Sequence, residues 1–432
     1  MDSITIGVLG TVALSLMLVS GMRIAYATAL CGFVGLWIIR GYGPAAGLAG
    51  LMPYAETSHY TLLVLPLFIL MGFLSYYAGI TRDVFWTARQ WLGHLPGGLA
   101  IATIFGCAGF AAACGASTAS AAVMGRVALP ELKKFGYDDK IAAGCVAAGG
   151  TLATMIPPSV IMVIYGFISE QSIGALLLAG IFPGLLSALT YSIMLYIRFK
   201  LNPALGPPVT GITWTERLKS VQGVWGIAVL ITIVLGGIYT GFATPSEAAG
   251  IGALGAFVMA LRRMRLGDLK LALMDTARTS AMIFAIIVGV LIFVRFLAFS
   301  GMPSTLANAI IGLDVNRYVI LVAILGLYLV LGMFLDGIGM LLLTIPIVLP
   351  AVIGLGFNPI FFGVLVVRMI EIGLITPPVG LNVYVLKGVA PDISMGDIFR
   401  GCGWFVVVDI INVAILIAFP QIILFIPEAM ID

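Results

Sequence analysis

The sequence predicts an all-α polytopic membrane protein made of inverted-topology repeats, each with a re-entrant helical hairpin and a broken transmembrane helix. Three observations lead there. Of 432 residues, 61% are hydrophobic and only 9% charged, more apolar surface than a soluble fold can hide. Two double prolines, Pro157-Pro158 and Pro377-Pro378, interrupt apolar segments that otherwise read as spans. The chain also matches itself at a shift of 220 residues: Pro130 falls on Pro350, Gly136 on Gly356, and one double proline on the other.

At ~20 apolar residues per span the chain has room for roughly ten full crossings plus shorter pieces. Met1-Asp2 precede the first apolar stretch without a basic region, so that stretch reads as a retained span rather than a cleaved signal. Cys31, Cys107, Cys114, Cys145 and Cys402 lie in apolar surroundings without metal-ligand spacing, which argues against a disulfide framework. The net charge of +3 carries no sign of a nucleic-acid partner. The partner that composition does require is the lipid bilayer.

In order, the expected spans are Ile4–Ser20, Ile24–Ile39, Tyr60–Ile80, Ile141–Ile168 (broken) and Ile173–Ile197. After a polar connector follow Val224–Gly241, Ser246–Leu261, Thr279–Phe299, Pro359–Leu386 (broken) and Ile398–Ile426. A shorter apolar stretch precedes each broken span: 97–132 and 317–352, both with small, glycine-containing midpoints. About 36 residues is too few for two crossings and a turn. Both therefore read as hairpins that dip to mid-membrane and return. The repeats are 1–199 and 223–432, joined by the connector 200–222, read as a plain linker in preference to an amphipathic surface segment. Asp83–Leu95 and Ser304–Leu313 read as short interfacial arms, with Trp86 and Trp91 at headgroup level in the first.

Charge orients the halves. Arg82, Arg89, Lys133, Lys134 and Lys140 flank the first hairpin, whereas segments 301–316 and 351–360 contain no lysine or arginine. By the positive-inside rule the first hairpin enters from the cytoplasm and the second from the opposite face. The basic stretches Arg198–Lys219 and Arg262–Arg278 are then both cytoplasmic, and the span count places Met1 and Asp432 outside.

A double proline at mid-span leaves backbone groups without partners, which lipid tolerates only where protein covers them or they line a cavity. Corresponding breaks in two halves mark a binding site at the repeat interface. Helix C-termini there offer carbonyls that suit a bare monovalent cation such as sodium, and N-termini suit an anionic group. The first pocket would join Ala111 and Cys114 at the hairpin tip to Ala153, Ile156 and Pro157. The second would join Gly332 to Gly373, Thr376 and Val379. Ser117 and Thr118 add hydroxyls at the first tip. The alternative for the glycines is close packing alone.

Ionisable residues inside spans are costly and carry meaning. Arg368 and Glu371, three apart on one helical face, read first as a structural ion pair and second as substrate contacts. Asp336, beside the second tip, is a candidate for coupling or gating, or else a helix cap. Arg295 either snorkels or clamps a carboxylate. Arg126 and Asp409 read as structural, and Glu247, after Thr244-Pro245-Ser246, as a first-turn cap. Catalysis finds little support: the only histidines, His59 and His94, precede Ser117, leaving no later histidine as its base. A channel is disfavoured because the hairpins enter from opposite faces.

These motifs resemble one family. Gly-Gly-Thr-Leu-Ala-Thr-Met-Ile-Pro-Pro-Ser at 149–159, Leu-Pro-Glu-Leu-Lys-Lys-Phe-Gly-Tyr at 129–137, Gly-Met-Phe-Leu-Asp at 332–336 and Ile-Thr-Pro-Pro-Val-Gly at 375–380 are similar to the DctM-type large membrane subunit of tripartite ATP-independent periplasmic (TRAP) transporters. The resemblance spans essentially the whole chain. It implies an ion transporter superfamily-like, elevator-type carrier in the bacterial inner membrane, taking up a small organic anion with co-transported sodium held at two expected sites. It also implies two partners, a small four-span membrane subunit and a periplasmic substrate-binding protein. Family sodium sites use backbone oxygens of hairpin tip and broken helix. The family's first tip is usually serine-rich, and Cys114-Gly115-Ala116-Ser117-Thr118 departs from that. The competing expectation is a stand-alone ion-coupled organic-anion carrier needing no binding protein.

Overall fold

The computed structural model describes residues 2–429; the expected placement of Met1 and Asp432 falls outside them. Every regular element is helical. The first half opens with α1 (Ser3–Val19), α2 (Ile24–Arg40) and α3 (Tyr42–Thr57), then a 3₁₀ turn over Tyr60–Leu63 leading into α4 (Val64–Tyr77). The arm α5 (Ile80–Leu92) leads to a hairpin of α6 (Gly98–Cys114) and α7 (Ser117–Lys134). The broken helix is α8 (Asp139–Met155) plus α9 (Val160–Ser169), and α10 (Ile173–Ala179) with α11 (Ile181–Leu201) closes the half. In the second half come α12 (Trp214–Tyr239), α13 (Pro245–Leu261) and α14 (Leu266–Ser300), then the arm α15 (Met302–Ile311). Its hairpin is α16 (Arg317–Gly332) with α17 (Gly337–Gly354), and its broken helix α18 (Pro359–Gly373) with α19 (Leu381–Val389). The described chain ends with α20 (Met395–Ala418) and α21 (Gln421–Glu428).

The two halves follow one plan. α7 and α17 have equal length, and their ends correspond at the same shift of 220 that aligns the prolines. Even the caps repeat. Asp138 accepts from the amides of Lys140 and Ile141 at 3.0 and 3.1 Å, and its counterpart Asn358 accepts from Ile360 and Phe361 at 2.8 and 3.3 Å. Each satisfies the orphan amides that open a broken helix.

The first segments of the broken helices form the centre. Every residue of α8 from Ile141 to Met155 is buried, as is every residue of α18 from Phe361 to Gly373. A helix buried all round can approach its neighbours closely only where side chains are small. On α8 that place is Gly144, where an added Cβ would sit 2.4 Å from the Gly401 carbonyl carbon of α20.

Several expectations change. Among the described residues six helices have the length and apolarity to cross a membrane, or seven with the bent pair α8–α9. The other expected crossings at α1, α2 and α13 are 17-residue helices, about 26 Å at ~1.5 Å per residue. One of the six long helices is the hairpin arm α17, so length alone does not separate an arm from a span. α3 was not expected, because Gly43, Gly47, Gly50 and Pro53 make its sequence read as loop; packing on α2 and α14 holds it helical. The basic loop expected over Arg262–Arg278 is mostly the first turns of α14, which begin where the Arg265 amide donates to Asp268 at 3.1 Å.

The connector is not a free linker either. The amide of Val209 donates to Gly93 at 2.8 Å and that of Asp138 to Leu205 at 3.0 Å. From Trp214 on it is already α12, started by a capping box between Thr213 and Glu216. Glu247 closes the same box with Thr244 at α13, as its sequence suggested.

Candidate functional site

Each hairpin tip meets the break of its own half. In the first half the chain reverses at Gly115, whose φ of +66° suits glycine. Its carbonyl accepts the amide of Val160 at 3.2 Å, and an added Cβ would stand 2.5 Å from the Pro158 carbonyl oxygen. In the second half the amide of Gly380, the counterpart of Val160, donates to Met333 at 3.4 Å. Gly332 and Gly373 lie back to back: a Cβ on Gly373 would be 2.5 Å from the Gly332 carbonyl carbon.

Proline explains which carbonyls are left over. In a continuous helix the amides at 157 and 158 would bond the carbonyls of Ala153 and Thr154, but prolines have none to give. At the other break Pro377 and Pro378 withhold amides from Gly373 and Leu374. There Leu374 is rescued by the amide of Asn382 at 3.0 Å, and Gly373 by that of Thr376 at 3.1 Å. Thr376 spends its hydroxyl proton on Ile372 at 2.6 Å, so its lone pairs remain to be given. The tip and break residues named for the first pocket, Ala111, Cys114, Ala153, Ile156 and Pro157, all lie on the two elements that the Gly115–Val160 bond joins. Gly332, Gly373, Thr376 and Val379 have the same relation around the second break.

Between the tips and the helices α4 and α14 lies a cavity of about 520 Å³. Ser117 and Thr118 line it from the first tip, Asp336 from the second, and Thr154 from the first break. Asp336 also caps α17, its Oδ2 accepting the Gly339 amide at 3.2 Å, so the cap weighed for it is present at the cavity lining. Cys114 lines the same wall.

The expected pairing of Arg368 requires correction. Arg368 does not pair with Glu371. It forms a fully buried ion pair with Asp409, and its Nη2 donates to the Tyr191 hydroxyl at 3.1 Å. Tyr191 in turn donates to Asp409 at 2.7 Å, so Asp409 is structural as expected. Glu371 is also fully buried, yet neither carboxyl oxygen has a hydrogen-bond partner among the described residues; the hydroxyls of Thr154 and Ser117 are its neighbours. Arg295 is exposed on α14 and does not line the cavity, so the structure gives it no clamp role there. Arg126, read as structural, does line it and makes no ion pair among the described residues. The clue available in the sequence was its place on the hairpin's return arm, on one helical face with Ala119 and Ala122.

Comparison with known proteins follows from this geometry. The Alcanivorax borkumensis YdaH transporter, known from a crystal structure, is similar in fold with a TM-score of 0.56 over 88% of both chains at 14% identity. In sequence the chain is 35% identical to the C4-dicarboxylate TRAP transporter large permease protein DctM of Pseudomonas aeruginosa, over 86% of this chain and 88% of that one. It is 33% identical to the sialic acid TRAP transporter large permease protein SiaM of Vibrio cholerae, over 86% and 87%. These relatives are permeases, not enzymes. The model of the tripartite ATP-independent periplasmic transporter DctM component matches residues 11–422. With hairpins, breaks and sequence in agreement over nearly its full length, the chain belongs to the DctM family of TRAP transporter large permease subunits.

Proposed function

We propose that this permease imports a small organic anion across the bacterial inner membrane, driven by sodium. The observation that carries the reading is the duplicated tip-and-break contact, which puts helix-end oxygens at two equivalent places beside one cavity. Backbone carbonyls of Ala111, Cys114, Ala153, Ile156 and Pro157 would hold one sodium ion. Gly332, Gly373, Val379 and the carbonyl and hydroxyl of Thr376 would hold the other. Oxygen ligands of this kind replace a cation's water without placing a full charge in the membrane.

The anion occupies the cavity, met by Ser117, Thr118 and the amides that open α7. Relatives named for C4-dicarboxylates, sialic acid and isethionate support an organic acid as cargo. One cavity wall is α4 and α14 and the other carries both tips. That division suits an elevator, in which the tip-bearing body slides past a fixed wall. A periplasmic binding protein delivers the cargo, and a small four-span subunit completes the membrane complex.

Proteoliposomes holding this chain with its small subunit test the reading. Cargo uptake is expected only with an inward sodium gradient and with the binding protein present. Equal uptake from a potassium gradient, or of free cargo at full rate without the binding protein, would overturn it.

A further inference from the structure

The cavity is chemically lopsided. Its lining carries two carboxylates, Asp275 and Asp336, and one cationic side chain, Arg126. Asp336 is held by the Gly339 amide, and Asp275 accepts the Tyr77 hydroxyl at 2.7 Å. Arg126 has no such engagement. Its Nη1 stands 3.5 Å from the Tyr76 hydroxyl, at the outer limit of a hydrogen bond, and no carboxylate lies within ion-pair distance among the described residues. Exposed at the cavity lining, this guanidinium has five donors and one marginal acceptor, so it is free to receive an anion.

Its position matters as much as its charge. Arg126 lies nine residues beyond Ser117 on α7, about 14 Å along the axis at ~1.5 Å per residue. It therefore sits well away from the tip hydroxyls, toward the basic end of α7 at Lys133 and Lys134. Tyr76 and Tyr77, packed edge to face at 4.9 Å, come from α4 on the opposite wall. The guanidinium thus spans the seam between the tip-bearing body and the wall.

We propose that Arg126 is a second anion-binding point for the cargo, one that holds its negative group between the hairpin tip and the end of α7. This rests on the reading of the cavity as the cargo chamber. A C4 dicarboxylate is too short to span that distance, so the anion passes from one point to the other. Tyr76 hands over its weak contact when the anion arrives.

Succinate titrated calorimetrically, in sodium, into the purified membrane complex tests it. R126Q is expected to weaken binding ~10-fold or more, the scale of losing a charged hydrogen-bond partner. R126K, which keeps the charge, should lose only a few-fold, and both should elute and melt like wild type. Two further variants, S117A and D336N, probe the tip. Wild-type affinity in R126Q alongside weakened tip variants would overturn this inference and leave the cargo chamber standing. No succinate binding to wild type, or unchanged binding in R126Q and both tip variants alike, would overturn the chamber and this inference with it. Equal losses in R126Q and R126K with lowered melting temperatures would mark a packing role instead. If anionic lipid competes with succinate in wild type but not in R126Q, the receptor is for a lipid headgroup and the cargo assignment fails.

Discussion

Replacing Gly373 with alanine tests whether the second pocket depends on close approach of tip and break. The new Cβ would lie 2.5, 2.7 and 3.0 Å from the carbonyl carbon, Cα and oxygen of Gly332. Ordinary carbon contacts begin near ~3.5 Å, so the tip must retreat by about 1 Å. The obstacle is backbone, not a flexible side chain, and the surrounding helix α18 is buried throughout. Overpacking of this kind costs ~1–3 kcal/mol. Sodium ligands tolerate little of such a shift, so the half-saturating sodium concentration for uptake should rise at least ~10-fold, about 1.4 kcal/mol. The assay is sodium-dependent uptake in proteoliposomes at saturating cargo, beside the melting temperature. Ala147→Gly, on α8 outside both pockets, serves as the control for a general effect on helix flexibility. If Gly373→Ala takes up cargo with wild-type sodium dependence, the second pocket is not built from this contact and the reasoning fails.

Other outcomes follow from the same geometry. Asp409→Asn leaves Arg368 buried without its counter-charge and should cost ~3–5 kcal/mol of stability; an unchanged unfolding midpoint would contradict it. Thr376→Ala removes the hydroxyl bonded to Ile372 and should lower sodium affinity while Thr376→Ser preserves it, read from sodium titrations of uptake. Asp336→Asn keeps a good cap for α17 but removes a cavity charge. It is expected to slow uptake while leaving the melting temperature within a degree or two of wild type. A large drop in melting temperature would make the cap the main role of Asp336.

The broad plan was legible because proline and charge act locally. A double proline breaks a helix wherever it falls, and the hairpins announced themselves through apolar stretches too short to cross twice. The caps at Asp138 and Asn358 lie where that plan requires. Three-dimensional pairing was less visible. The spacing of Arg368 and Glu371 satisfied a helical rule, yet Arg368 finds Asp409 on α20, a partner 41 residues away. Nothing local distinguishes the two carboxylates. The surroundings of Arg126 and Arg295 were hidden for a related reason, since whether an arginine faces lipid, water or a cavity depends on neighbours far along the chain. The helix α3 and the early start of α14 were hidden because glycines or charges masked helices that tertiary packing and solvent exposure allow. The proposed sodium ligation is backbone chemistry, so side-chain identity marks it only through the residues that permit close approach.

The Arg368–Asp409–Tyr191 cluster has a mechanical consequence. Tyr191 belongs to α11 of the first half, Arg368 and Asp409 to α18 and α20 of the second. Farther out, Lys133 pairs with Asp392 and Lys140 with Asp397 at 3.6 Å, again across the halves. In the proposed elevator, halves interlocked in this way carry both ion pockets as one body. On that reading neither pocket turns toward one compartment while the other still faces its opposite, and ions and cargo travel on the same stroke.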